Sequence, residues 1–164
     1  MNKIKLALGT LLAMASLGAS AQSATYALRT LTLDAARDMA WTAMEACRKN
    51  GYKVTITVLD NRGATKLVMS DDGANPHTVE NSMRKAYTSL TSRIPSGEYG
   101  KRNVANPQAI GSLFLDRITT LEGALPILAG KDIVGSIGIS GAPGGDKDAA
   151  CAQAGIDKIA AGLK

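Results

Sequence analysis

The chain has 164 residues, with 19 lysines and arginines against 14 aspartates and glutamates, one histidine and two cysteines. Its net charge of +5 is not organised as a basic stripe with interleaved aromatics, which argues against a nucleic-acid partner. A single histidine excludes Cys2His2 zinc ligation and leaves Ser-His-Asp catalysis only one candidate base.

The N-terminus reads as a secretory leader. Lys3 and Lys5 precede an uncharged apolar run from Leu6 to Leu17, and Ala19-Ser20-Ala21 forms a small-x-small cleavage box. The run is too short to cross roughly 30 Å of hydrocarbon. These features predict a signal peptide over 1–21 and a mature domain over 22–164 that is periplasmic or secreted, with no membrane partner after cleavage. The remainder has the size of one domain with one core, and it contains no repeat or low-complexity tract.

The first predicted helix starts at Thr32, a candidate N-cap. Asp34 complements its positive end, and Arg48 and Lys49 its negative end before Gly51. Ala36, Ala40, Ala43 and Cys47 make one apolar stripe at helical spacing. Arg37, Trp41, Met44 and Arg48 make a second, which either widens the buried face or anchors a subunit contact. Two strands follow, Lys53–Leu59 and Ala64–Ser70, joined by Asp60-Asn61-Arg62-Gly63. Val54, Ile56 and Val58 alternate with Thr55 and Thr57, the period of an antiparallel hairpin.

Asp71 to Pro76 launches a second helix, whose buried line is read as Val79, Met83, Ala86 and Leu90. Ile94 to Pro107 reads as a long loop. Three short strands are expected near Arg117–Leu121, Leu125–Ala129 and Ile133–Ile139, then a last helix from Asp146 with Ala152, Ile156, Ile159 and Leu163 inward. The order α-β-β-α-β-β-β-α, dominated by hairpins, predicts an α+β fold with one antiparallel sheet of about five strands. Cys47 and Cys151 fall on the first and last helices. They read either as a disulfide, favoured by their even number and the expected compartment, or as two small buried apolar residues.

The turn from Gly138 to Gly145 places backbone N–H groups at a helix start, where an anion could bind. It lacks the Gly-Lys-Ser/Thr ending of a P-loop, and Ala142 breaks the G-x-S-x-G pattern. The alternative is a tight connection capped by Asp146. His77 falls in the first turn of the second helix, on a polar line with Asn81 and Arg84. The positive helix end favours its neutral, metal-binding form, so it is a candidate axial ligand for a cofactor's metal or else a solvated surface histidine. Met69, Met83, Tyr87 and Tyr99 are candidates for a second axial position or for pocket walls. Arg84, Lys85, Lys101 and Arg102 belong to a locally basic stretch from His77 to Asn106 and could pair with a ligand's carboxylates.

Several segments in this order together resemble the GlcG/HbpS-type haem-binding family, also described as haem-degrading domains. They are Leu33 to Ala36, Val54 to Asp60 with Gly63, Asp72-Gly73-Ala74, Arg84 to Thr88, Asn106-Pro107, Gly123 to Ile127, Val134 to Gly145 and Cys151 to Ile156. The resemblance covers nearly all of the mature chain. It implies a profilin-like fold, association into dimers or larger homo-oligomers, and haem or a related tetrapyrrole as ligand. Members are not uniform, and some stand in carboxylic-acid utilisation operons.

The leading expectation is an exported haem-binding protein that sequesters, buffers or senses haem. His77 would approach the iron, and Arg84, Lys85, Tyr87, Lys101 and Arg102 would surround the guest. Two alternatives stand beside it. One is a module for a small organic acid held by the glycine-rich turn with Arg84 or Arg102, and the other is an enzyme degrading haem or acting on such an acid. No recognisable catalytic pair supports the enzyme, which makes a binding protein the favoured class.

Overall fold

In the computed structural model, Thr32 opens the first helix as its sequence predicts, its hydroxyl accepting the Ala35 amide at 3.2 Å. Residues 23–164 are described, so the leader and its cleavage box lie outside the described residues. The helix, α1 (Leu33–Lys49), closes at Asn50, and Gly51 follows with φ +75°, a backbone state that suits glycine. The first hairpin joins β1 (Thr55–Asp60) to β2 (Thr65–Ser70). The Asp60 carboxylate accepts the amides of Arg62 and Ala64, both at 2.9 Å, and so holds the turn.

Two helices come next, α2 (His77–Ser92) and α3 (Ser96–Val104), followed by a 3-10 helix over Pro107–Phe114. A second hairpin, β3 (Ala124–Ala129) and β4 (Asp132–Ser140), leads to α4 (Gly145–Ile159). The four strands form one antiparallel sheet in the order β2-β1-β4-β3. The fold is thus α+β, as expected.

The period of two in β1 gives the sheet two different faces. Val54, Ile56 and Val58 join Ile137 and Ile139 of β4 under Met39, Ala43 and Met44 of α1 and Ala152 of α4, which makes the apolar core. Cys47 and Cys151 are bonded as a disulfide across α1 and α4, so the pairing reading holds. Thr55 and Thr57 point to the other face, which α2 covers. There the Thr55 and Thr78 hydroxyls are hydrogen-bonded at 2.8 Å, as are those of Thr57 and Ser82, and Ser136 donates to the Ala86 carbonyl at 2.8 Å. Each buried hydroxyl has a partner, which removes the cost of taking it out of water. Gly138 permits this close approach, because a Cβ there would stand 2.2 Å from the Ser82 carbonyl oxygen.

Several expectations are corrected. The buried side of α2 is Thr78, Ser82, Lys85 and Ser89 with Ala86 and Leu90, whereas Val79 is exposed and Met83 only partly buried. Hydrogen bonding to the sheet decided the face, and apolar spacing does not register it. Among the described residues the sheet has four strands rather than five. The segment near Arg117–Leu121 is not a strand, and Arg117 itself has φ +65°. Ile94 to Pro107 is not a loop, since α3 occupies most of it. Gly97 and Gly100 let that short helix lie against Thr120 and Glu122, where side chains would collide. In the second stripe of α1, Met44 is in the core but Trp41 is 47% exposed, with the Arg48 guanidinium 5.5 Å from its ring centre.

Candidate functional site

The start of α2, the segment before β3 and the turn before α4 meet around an open cavity of about 370 Å³. Its floor is an ion pair. Lys85, reaching across from α2, donates to Asp148 Oδ2 of α4 at 2.7 Å and to the Ile139 carbonyl at 3.0 Å. The two side chains are 4% and 3% exposed. Asp148 Oδ1 accepts the Ala142 amide at 3.0 Å, so one carboxylate fastens α2, the glycine-rich turn and α4 together. Burial pushes the Asp148 carboxyl above its ordinary range, while the Lys85 ammonium opposes that shift. Gly123, at φ +130°, leaves room for the pair, because a Cβ there would stand 2.7 Å from both Lys85 Nζ and Asp148 Cβ.

This geometry decides how the glycine-rich turn is used. The expected anion position is taken by the chain's own Asp148, and the turn is a tight connection. Asp146, the expected cap, makes no capping hydrogen bond, and the N-cap position itself is Gly144.

Above the floor, Asn81 donates to the Ser140 hydroxyl at 2.9 Å. His77, the first residue of α2, stands exposed at the cavity, which Asn75, Leu121 and Glu122 also line. Two residues read from the sequence as candidates therefore come together, His77 and Lys85. The others do not line the cavity. Arg84 is exposed and pairs with Glu80 on its own helix, and Arg102 pairs with Glu98 in the same way along α3. Lys101 is exposed on α3. Tyr87 carries the Arg117 guanidinium 5.3 Å from its ring centre. Met69 packs against the apolar core, and the Tyr99 hydroxyl donates to Ser112.

Sequence reasoning missed Asp148 and Glu122, and gave Asn81 and Ser140 no binding role. Only Asn81 carried a signal, through its helical spacing from His77. Two other cavities, about 410 Å³ near Leu31 and Leu163 and about 420 Å³ beside Trp41, are lined by no buried charged side chain.

Among the described residues no three His, Cys, Asp or Glu side chains are grouped to hold a metal ion. A metal here must arrive with most of its ligands already in place, as in a cofactor, and His77 can supply one more. The donor set fits an iron-bearing group on that count. The walls are mostly polar and the cavity is open, so a flat apolar ring would rest partly outside it.

Comparison with known proteins agrees with this architecture. Residues 31–157 match the family described as haem degrading protein HbpS-like. Protein GlcG of Escherichia coli strain K12 is 28% identical over 96 residues, covering 58% of this chain and 70% of GlcG. The crystal structure of HbpS superposes with a TM-score of 0.77 at 35% identity, covering 82% of this chain and 93% of that one. The crystal structure of a PduOC–haem complex superposes with a TM-score of 0.71 at 21% identity, covering 79% and 95%, which supports the fold alone. With its residues 31–157 matched and its sheet and helices shared with HbpS, this chain belongs to the HbpS-like haem-degrading protein family.

Proposed function

We propose that this protein binds haem outside the cytoplasm, with the ring against the cavity beside α2 and His77 as an axial ligand of the iron. The observation that carries this reading is the position of the chain's only histidine, exposed on the rim of a cavity whose floor is a fixed buried ion pair. Family membership supports it, as does the haem held by a protein of the same fold.

Bound iron would supply ligand exchange and one-electron chemistry. The protein's own groups do the rest. The start of α2 sets the imidazole at the edge of the cavity. The Lys85–Asp148 pair keeps α2 and α4 in register, so the rim residues converge on one guest. Because Asp148 neutralises Lys85, none of the described residues lining the cavity offers a carboxylate an unpaired lysine or arginine. A haem bound here would therefore turn its acid groups toward solvent. The same argument disfavours a small organic acid held by Arg84 or Arg102, since both lie outside the cavity and are paired with glutamates.

Titration of the purified protein with ferric haem, followed by absorption, tests the reading. The expected result is a saturable Soret band distinct from that of free haem, altered in His77→Ala. A free-haem spectrum at micromolar protein would overturn haem binding, and an unaltered band in the variant would overturn the ligand assignment alone. Export is tested separately by the mass of protein recovered from the periplasm. Cleavage after Ala21, leaving Gln22 first, is expected.

A further inference from the structure

A second concave site lies at the far end of α2 from His77. It is a cavity of about 300 Å³ where the arm over residues 27–31, the end of α2 and the turn between β3 and β4 meet. Leu90 and Ile133 line its apolar side, and the arm adds Leu28. The arm is fixed at two points. Asn61 donates to the Arg29 carbonyl at 2.6 Å, and the Leu31 amide donates to the Val134 carbonyl at 3.2 Å. At a rise of about 1.5 Å per residue, α2 separates Arg93, just past its end, from His77 by about 24 Å.

Three cations line this cavity, Arg29, Arg93 and Lys131, against one carboxylate, Asp132. Arg29 Nη1 donates to the Ala129 carbonyl at 3.3 Å and stands 3.6 Å from Asp132 Oδ2. The Nε and Nη2 hydrogens of Arg29 have no partner among the described residues. Neither Arg93 nor Lys131 forms an ion pair among those residues. Two positive charges at the cavity are therefore uncompensated.

The backbone at Arg93 is a separate observation. It ends α2 in the left-handed state, with φ +63°, and its amide donates to the Ser89 carbonyl at 3.0 Å. Glycine takes this helix-ending state without strain, whereas an arginine there is strained. What arginine adds at this position over glycine is a cation lining the cavity.

We infer that this cavity binds a small dianion, a phosphate group or a short dicarboxylate, held by Arg93, Lys131 and the unpartnered donors of Arg29. Charge sets the sign and number of the ligand's charges, because two uncompensated cations match two negative ones. Volume sets its size, since about 300 Å³ is the lower end of the roughly 300–1,000 Å³ of small-molecule cavities. A guanidinium fork suits phosphate and carboxylate alike, so the two sources share one chemistry. The site is independent of haem. It is also distinct from the glycine-rich turn, where Asp148 takes the anion position.

The test is titration of isotope-labelled protein, recovered from its producing cells, with inorganic phosphate or with malonate. Amide spectra are recorded at a pH where both probes are dianionic, with sodium chloride at matched ionic strength as control. Saturable shifts at Leu28, Arg93 and Lys131 are expected with at least one probe, and the probe that produces them names the source. Arg93→Gly should weaken its binding about tenfold, as expected for loss of one charge-assisted hydrogen bond. The same variant should keep its melting temperature, because glycine suits that backbone state. Lys131→Gln, at the hairpin turn, should weaken binding comparably, and Lys101→Gln, on an exposed lysine of α3, should bind as wild type does. No saturable shift at millimolar phosphate or malonate would overturn the inference. So would shifts that sodium chloride reproduces, or unchanged affinity in either Arg93→Gly or Lys131→Gln.

Discussion

Replacing Asp148 by alanine leaves the Lys85 ammonium, 4% exposed, without its only carboxylate. Removing one partner of a buried ion pair costs about 3–5 kcal/mol, because the other charge stays desolvated. The same change frees the Ala142 amide and adds about 1 kcal/mol. Against a total stability of about 5–15 kcal/mol this is a large fraction. With a urea slope near 2 kcal/mol per molar, the unfolding midpoint should fall by about 2–3 M. Urea unfolding by circular dichroism, with the disulfide intact, measures it. The double variant Lys85→Met with Asp148→Leu should recover most of the loss, since an apolar pair of similar volume replaces the ionic one. A single-variant shift below about 0.5 M, or a double variant as unstable as the single one, would refute the idea that this pair locks the floor.

Three further outcomes follow from other parts of the fold. Arg48 and, less strongly, Lys53 hold the buried Asp71 carboxyl below its ordinary range. A lowered folded-state pKa contributes stability that is present above the unfolded value and lost as pH falls through the folded one. Asp71→Asn should therefore flatten the acid limb of the stability curve below about pH 4, read by thermal unfolding across pH. The disulfide closes a separation of 104 residues, so Cys47→Ala with Cys151→Ala should cost about 4–5 kcal/mol in urea unfolding. Gly138→Ala places a Cβ 2.2 Å from the Ser82 carbonyl oxygen. It should push α2 off the sheet at a cost of about 1–3 kcal/mol or more and lower the melting temperature.

Much of this architecture is legible in the sequence. The alternation from Val54 to Val58, the turn at Asp60 to Gly63, the Thr32 cap and the pairing of Cys47 with Cys151 all stand as read. They rest on local rules or on a count of two. The buried face of α2 was not legible, because Thr78 and Ser82 look like surface residues until Thr55 and Thr57 are placed opposite them. Nor was α3. Two glycines in nine residues predict a loop, yet Gly97 and Gly100 are what allow the helix to touch Thr120 and Glu122. His77 and Lys85 were legible as chemistry, and their spacing with Asn81 along α2 puts all three toward one side of the helix. What was not legible is Asp148, which lies 63 residues from Lys85 and makes that lysine the floor of a cavity.

Ferric haem is paramagnetic, so the amide spectrum of the labelled protein locates it most directly. Addition of haem should broaden the signals of Asn75, His77, Asn81, Ser140 and Ala142, and leave those around Trp41 and the disulfide sharp. Broadening centred anywhere else, or none at saturating haem, would contradict a tetrapyrrole site beside the start of α2.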